Sequence, residues 1–542
     1  MAETIKILVG DKLASKGLDF LNSFDQVDVD VKTGLSEDEL AQIIGAYDGL
    51  IVRSGVQVTA KVLEKPGKLR AIARAGVGVD NIDLAAATAR GVLVMNSAEA
   101  STITTAEHAF ALLMALARNI GPAYKTVTEG GWDRSKFVGT QLSGKTLGVV
   151  GFGRIGRTVA ERALAFGMNV VAFDPVYNAQ TALDGRVRMF KSFEKMVGEC
   201  DILSFHVPLN DATRGMLNDQ TFASCRDGVM VINAARGGVV DVEALIRALD
   251  AGKCGGAAID VYESEPPADD DPLRTHPKVL ATPHLGASTA EAQEAVSTDA
   301  CAQMLEYLRG EGLRGAVNLG GVRMDLDPAQ SRYIDLAKRM ARLIGPMCEG
   351  GFSDVTVTAD GESLRSIAST MERLVMVELL RTMLDVPVNV VNVKLIAEQR
   401  GIKARTTMIE EARHSPRVTV EVAPGSENGG GKPGRIVGSV FADGQPRILE
   451  INGYRMDMVP AGPMLVLQNE DRPGMVGIVG GALGEAGLNI ADMALSRRDG
   501  KALMVLNVDQ VADAATLKQL RTKPGIVKVL AVAMPPLENE RE

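Results

Sequence analysis

The sequence predicts an α/β protein: two doubly wound parallel-sheet domains, then an α+β segment, then a small ferredoxin-like module. Three observations predict it. Short apolar runs alternate with helical patterns through residues 5–309. A glycine-rich turn, Gly151-Phe152-Gly153-Arg154-Ile155-Gly156, stands between a strand pattern and a helix pattern. Residues 464–531 read β-α-β-β-α-β.

Element by element, the apolar runs at 5–9, 49–53, 69–73 and 92–95 read as buried parallel strands, with helices at 36–46 and 81–89. A long helical pattern over 104–119 leads into a second set of strands at 146–150, 169–173, 202–205, 229–232 and 257–259. A further helix at 291–309 carries the chain back toward the first sheet. The expected domains are therefore 1–100, completed by 286–317, on the substrate side, and 101–285 for a nucleotide-binding domain. An intervening domain over 318–455 contains a helix at 333–344 and strands at 355–358 and 418–422, and 460–542 form the terminal module. The loop at 427–434 lacks the Gly-Lys-Ser/Thr ending of a phosphate-binding loop and reads as a flexible hairpin loop.

The 542 residues are 46% hydrophobic and 23% charged, ordinary for a soluble globular protein. A net charge of −9 argues against a general nucleic-acid or membrane-surface binder. Cys200, Cys225, Cys254, Cys301 and Cys348 contain no C-x-x-C pair, so neither a disulfide framework nor a metal site is indicated, and a reducing cytoplasm is expected. The apolar run at 109–117, bounded by His108 and Arg118, is too short to span a bilayer.

Gly151 permits the tight turn, Gly153 lets backbone approach a pyrophosphate, and Gly156 lets helix pack closely on strand. Asp174 ends the next strand, at the roughly 20-residue spacing of a ribose-binding acid, and would repel a 2′-phosphate. The expected cofactor is NAD. The first sheet offers only Gly76-Val77-Gly78 and is the better candidate for the substrate side.

Oxidising an alcohol with NAD needs a base for the hydroxyl proton, and histidine suits both directions. His284 follows a strand in a glycine-containing turn, where loops beyond strand ends face the ligand. A carboxylate in the Glu265 loop could orient it, and Arg236 could clamp a substrate carboxylate. Arg53 with Ser54, and Arg74 with Gly76, Val77 and Gly78, add cations and backbone amides suited to oxyanions on the substrate side. Arg134 and Lys136 sit beside Trp132, the only tryptophan; the alternative for them is a solvated loop anchored by that ring.

The chain resembles the D-2-hydroxyacid dehydrogenase family in its long form. Gly-Arg-Ile-Gly (153–156), Asn-Ala-Ala-Arg-Gly-Gly (233–238), Asp-Val-Tyr-Glu-Ser-Glu-Pro (260–266) and Pro-His-Leu-Gly-Ala-Ser-Thr (283–289) carry the resemblance. It implies a flavodoxin-like substrate domain, a Rossmann NAD domain, an intervening domain and a C-terminal ACT domain. By the same resemblance Arg236 binds the substrate carboxylate, Glu265 partners the base, and His284 is the acid/base. Cofactor contacts are implied at Arg154, Ile155, His206, Pro208, Thr213, Ala234, Asp260, His284 and Gly286, and Arg134 is expected to reach a neighbouring subunit's site in a homodimer or homotetramer. The implied reaction is oxidation of 3-phospho-D-glycerate to 3-phosphooxypyruvate, at the start of serine synthesis. Two other readings compete: a hydroxypyruvate or glyoxylate reductase, and a non-catalytic NAD-sensing corepressor.

Leu467-Gln468-Asn469-Glu470-Asp471-Arg472-Pro473-Gly474 resembles the start of an ACT domain, and Gly487-Leu488-Asn489-Ile490 the turn and strand that follow. The resemblance implies an L-serine effector site at Asp471 and Asn489, with Asn469 where relatives carry histidine or tyrosine. The alternative is a dimerisation module without a ligand.

Overall fold

Val27–Val31, Ile5–Val9, Gly49–Val52, Ala71–Arg74 and Leu93–Asn96 lie side by side in that order as one parallel sheet. Counted along the chain the order is 2-1-3-4-5, the flavodoxin-like arrangement, whose ligand crevice opens at the carboxyl ends of the strands. The computed structural model describes residues 4–537 apart from 178, 324, 349–350, 382, 385, 410–414 and 426–432. The hairpin loop expected at 427–434 falls, but for its last two residues, outside that set.

Two strands and a helix are among the elements of the first two domains that escape sequence patterning. Val27–Val31 reads Val-Asp-Val-Asp-Val and sits at the sheet edge half-exposed, so it has no continuous apolar run. Ser15–Asn22 is two turns with a buried Gly17, whose hydrogen side packs on Ser297. In the second sheet Val187–Phe190 is similarly irregular, pairing parallel to Asn169–Phe173.

The second sheet runs Val279–Ala281, Cys254–Ile259, Val229–Asn233, Ile202–Phe205, Thr146–Val150, Asn169–Phe173 and Val187–Phe190, with Thr181–Ala182 antiparallel at its edge. Counting only its parallel strands along the chain from Thr146–Val150, the first six are ordered 3-2-1-4-5-6, the doubly wound Rossmann order. The order reverses between Thr146–Val150 and Ile202–Phe205, which opens a crevice between the loops that follow them.

Two segments cross between the sheets. Thr102–Ala117 leaves the first sheet and packs Ala106, Ala109 and Leu113 against the second. Ala290–Arg309 returns and buries Val296, Ala300, Met304 and Leu308 against Ile7, Val9 and Ile51 of the first. Each buried Val, Leu, Ile or Met side chain among them contributes about 1.5–3 kcal/mol.

Beyond it, Pro328–Ile344 and Ala368–Arg381 cover a six-stranded sheet built on Phe352–Asp360. The intervening domain plugs into the substrate domain through Val391, which is buried in that domain's core, and through Asn389 Nδ2, which donates to Gly91 O at 2.8 Å. The terminal module is an antiparallel sheet ordered Ile490–Arg498, Lys501–Val508, Pro463–Glu470, Ile526–Ala533. Its period-2 alternation serves two cores. Leu465 and Leu467 face the module's own helices, whereas Met464 and Val466 face the intervening domain.

The buried Arg339 fastens this joint. Its guanidinium donates to Pro460 O at 2.9 Å, Pro535 O at 2.6 Å and Pro536 O at 3.0 Å, so both ends of the module are tied to one helix. Replacing Arg339 with Met leaves those carbonyls and Asp335 without a partner. Urea unfolding of the variant should show a loss of about 3 kcal/mol; an unchanged midpoint would mean the clamp adds nothing.

Candidate functional site

Gly151 adopts φ +90° as the Thr146–Val150 strand turns, and a Cβ there would stand 2.5 Å from His206 O. A Cβ on Gly156 would stand 2.0 Å from Gly151 O, so helix and turn can meet only through glycine. Gly153 is different: a Cβ on it would meet nothing within 4 Å. It N-caps Arg154–Ala165 with no side-chain cap, leaving the first amides of the helix free for a pyrophosphate. Asp174 is pinned at the end of the neighbouring strand, accepting from Phe152 N and Val176 N at 2.9 Å each. The residues therefore fit a dinucleotide whose ribose meets a carboxylate.

His206 enters across the crevice, with Nε2 2.8 Å from Ser204 Oγ. Burial pushes its pKa down to about 4, which keeps the ring neutral. The loop after it is braced by Thr213 Oγ1 donating to Pro208 O at 2.6 Å. Arg154 forms an ion pair with Glu99, Ile155 packs on the core beneath, and Ala234 is buried beside the turn that bears Arg236.

That turn is organised by Asn233, a buried residue not singled out from sequence. Its side chain donates to Arg236 O at 2.9 Å and accepts from Ala235 N at 3.1 Å. Arg236 then projects across the domain cleft, donating through Nε to Asp80 Oδ2 at 2.9 Å. Gly78 makes this possible, because a Cβ there would lie 1.6 Å from Arg236 Nη2. Gly76, at φ +151°, does the same for Arg74, with a Cβ 1.9 Å from Nη1. Two glycines flanking Val77 thus each seat a guanidinium.

Arg74 is half-buried, and among the described residues its Nε has no hydrogen-bond partner. Burial first, and then the charge of Arg236 with a contribution from Arg53, push its pKa down to about 10. Arg53 is held through its backbone, whose N donates to Asp11 Oδ2 at 2.7 Å, with Ser54 exposed beside it. Val77 O accepts from Asn96 Nδ2, which fixes the loop between the two glycines. Arg74 and Arg236 therefore meet on one loop, with Arg53 near enough for its charge to act on Arg74, and Asp80 and Asp11 temper the field. Sequence reading missed both acids, although Asp80 follows the Gly-Val-Gly-Val run directly.

The imidazole lies on the adjoining loops. Glu265 Oε2 is 2.6 Å from His284 Nδ1, and Glu265 Oε1 accepts from Tyr262 N at 3.1 Å. A Cβ on Gly237 would stand 2.1 Å from the Tyr262 carbonyl carbon, so the Arg236 and Glu265 loops pack directly on each other. His284 has φ +54°, a left-handed conformation that turns its ring outward, and its side chain remains 46% exposed.

Asp260, expected at the cofactor, has a different place. Its side chain is 0% exposed. Oδ1 accepts from Thr282 Oγ1 at 2.6 Å and Leu285 N at 2.8 Å, and Oδ2 accepts from Gly286 N at 3.0 Å. No carboxylate surface is left for a ligand, so its side chain builds the His284–Gly286 turn instead. His108 Nε2, from the crossing helix, lies 3.1 Å away.

Two sets of expected residues do not converge within one chain. Arg134 lies in a single turn, Arg134–Phe137, beyond the helix Ile120–Thr128. That helix presents Ile120, Tyr124 and Val127 to solvent, beside an 80%-exposed Trp132. In the terminal module, Asn469 is buried, with Oδ1 unpaired among the described residues, and so gives a ligand no access as placed. Asp471 lies 3.6 Å from Arg497 at one end of the sheet, whereas Asn489 donates to Asp509 at the other. The register fixes that separation: Glu470 pairs with Lys501, but Ile490 pairs with Val508.

Comparison with known proteins follows the same divisions. Residues 110–286 match the family described as D-isomer specific 2-hydroxyacid dehydrogenase, NAD binding domain. Residues 330–452 match the D-3-phosphoglycerate dehydrogenase intervening domain, and 464–525 the ACT domain. The chain is 36% identical over 530 residues to a D-3-phosphoglycerate dehydrogenase of Methanocaldococcus jannaschii, covering 97% of this chain and 99% of that one. It is 36% identical over 534 residues to the Bacillus subtilis enzyme of the same name, covering 98% and 100%. Among solved structures, an NAD-dependent formate dehydrogenase from Staphylococcus aureus in complex with NAD matches 58% of this chain and 99% of that one, with 27% identity and a TM-score of 0.53.

Gly78→Ala forces Arg236 off its seat. Steady-state kinetics should show kcat/KM for a hydroxyacid falling about 100-fold, while titration finds the Kd for NAD unchanged. An unchanged kcat/KM would separate Arg236 from the chemistry.

Proposed function

This chain belongs to the D-3-phosphoglycerate dehydrogenase family of D-isomer specific 2-hydroxyacid dehydrogenases, and on that premise we propose that Arg236, Glu265 and His284 catalyse the oxidation of 3-phospho-D-glycerate by NAD to 3-phosphooxypyruvate. It is an NAD-dependent oxidoreductase. The observation that carries the substrate reading is the seating of Arg74 and Arg236 against Gly76 and Gly78, with Arg53 near enough for its charge to act on Arg74. One carboxylate needs one such fork; a carboxylate and a phosphate together occupy all three.

Glu265 holds Nδ1, so Nε2 is the face His284 offers to the substrate hydroxyl. His284 takes the hydroxyl proton as the C2–H bond breaks, and Glu265 stabilises the imidazolium that forms. When bound, NAD accepts the hydride. Arg236 grips the carboxylate beside C2 and polarises the oxygen as it becomes a carbonyl, exchanging Asp80 for the substrate. Arg53 and Arg74 take the phosphate, Arg74 through its terminal guanidinium nitrogens.

A second copy completes the molecule in this reading. The exposed Ile120, Tyr124, Val127 and Trp132 form an apolar strip that another chain would cover, carrying Arg134 toward its partner's site. L-serine would likewise need two ACT modules, one supplying Asp471 and the other Asn489. Cys200 and Cys254 are buried, with pKa values pushed up to about 12, and Cys225 to about 11, so the thiols stay protonated. That suits a reducing cytoplasm.

The test is NADH formation from NAD and 3-phospho-D-glycerate at alkaline pH with the ketoacid trapped, in the presence and absence of L-serine. His284→Ala should abolish turnover and leave NAD affinity intact. Arg53→Ala should raise KM for phosphoglycerate about 10- to 100-fold, the value of a charged hydrogen bond, with KM for NAD unchanged. Equal efficiency on unphosphorylated D-glycerate would overturn the phosphate assignment. Turnover indifferent to serine would leave the terminal module as an assembly element.

A further inference from the structure

A second concavity, ≈ 330 Å³ in volume, lies in the intervening domain between the helices Ala368–Arg381 and Val393–Gln399 and the edge strand Lys403–Ile409. It lies outside the hydride-transfer site and outside the ACT module, and nothing in the reaction uses it. Its volume is at the small end of ligand pockets.

The lining combines both signs of charge with an apolar floor. Met376, Val393 and Ile402 form the floor. Glu372 and Arg373 approach from one helix, Lys394 from the other, and Lys403 from the edge strand. Among the described residues the side chains of Glu372, Lys394 and Lys403 have no hydrogen bond and no ion pair within 4 Å. The Glu372 carboxyl is half-buried, and burial raises its pKa against the opposing pull of Arg373 and Lys394. A recessed carboxylate without a hydrogen-bond partner is costly until a ligand satisfies it, whereas Lys394 and Lys403 stand exposed at the mouth, free to take an anionic group. At the rim Arg405 pairs with Asp354 at 3.3 Å, and Glu398 stands exposed beside it.

Arg373 gives the pocket its place in the fold. Its guanidinium donates to Val390 O at 3.2 Å and Gly320 O at 2.9 Å, the two segments by which the intervening domain joins the substrate domain. Both acceptors are neutral carbonyls, so the cation carries its charge into the pocket wall uncompensated except by Glu372.

We propose that this cavity binds a free α-amino acid with an aliphatic side chain, its ammonium on Glu372, its carboxylate on Lys394 and Lys403, and its side chain on the Met376–Val393–Ile402 floor. An α-amino acid carries its two charges on one carbon, which matches a recessed carboxylate and cations sharing one mouth. A simple anion would leave Glu372 unsatisfied, and an amine would leave the lysines so.

L-Leucine is the probe, titrated calorimetrically into the full-length protein. Saturable binding is expected with a Kd at or below about 1 mM. 4-Methylpentanoate, which lacks the ammonium, and leucinamide, which lacks the carboxylate, should bind at least about tenfold more weakly, the value of one charge-assisted bond. Glu372→Gln, nearly isosteric, should weaken leucine about tenfold while dehydrogenase turnover shows the variant folded. Lys394→Ala should do the same, and Asp471→Ala in the ACT module should leave leucine binding unchanged. The proposal is overturned by absence of saturable binding up to about 10 mM, or by binding that survives both Glu372→Gln and Lys394→Ala. It is equally overturned if Asp471→Ala removes the binding, or if inorganic phosphate competes as well as leucine, which would make the cavity an anion site.

Discussion

The Asp260 carboxylate sits where every connection between the two nucleotide-fold sheets meets. It ends the strand Cys254–Ile259, accepts from Thr282 after the next strand, and accepts from Leu285 N and Gly286 N on the way to the returning helix. His108 of the outgoing helix lies against it. Burial alone would raise its pKa, but these partners outweigh burial and hold the carboxyl below its usual range. An ionised acid with its lone pairs committed cannot be displaced without orphaning several amides. It thereby fixes the left-handed turn at His284, and with it the direction of the imidazole.

Around that fixed turn, charge is concentrated rather than dispersed. Burial first, and then the charge of Arg236 and Arg53, hold the Arg74 guanidinium below its usual pKa. The fold tolerates this because Gly76 and Gly78 remove the side chains that would otherwise push the cations apart, and because Asp80 and Asp11 neutralise part of the field. Substrate binding then completes an electrostatic arrangement already assembled, so little reorganisation accompanies reaction.

The C-terminal half is joined to this machine by few but buried contacts. Val391 enters the substrate-domain core, Arg373 ties two crossing segments, and Arg339 ties the ACT module's entry and exit strands to one helix. The ACT sheet is covered on both faces, by its own helices and by the intervening domain, so a rearrangement of its strands would be felt at Pro328–Ile344.

Much of this is written locally. The buried runs Gly49–Val52 and Thr146–Val150, the Gly151–Gly156 turn and the βαββαβ spacing of the terminus are legible because one period, or one glycine geometry, decides each. His284, Glu265 and Arg236 were legible as residue types following strands in a nucleotide-binding pattern. What sequence did not disclose depends on partners far along the chain. Val27–Val31 is a strand because Ile5–Val9 pairs with it, not because its alternating aspartates favour one. Asp80 matters through Arg236, 156 residues away, and Asp260 turns inward because three later groups donate to it. The separation of Asp471 from Asn489 follows from antiparallel register, which no local spacing contains. Periodicity and turn chemistry are properties of neighbours in sequence; the satisfaction of a buried charge is a property of neighbours in space.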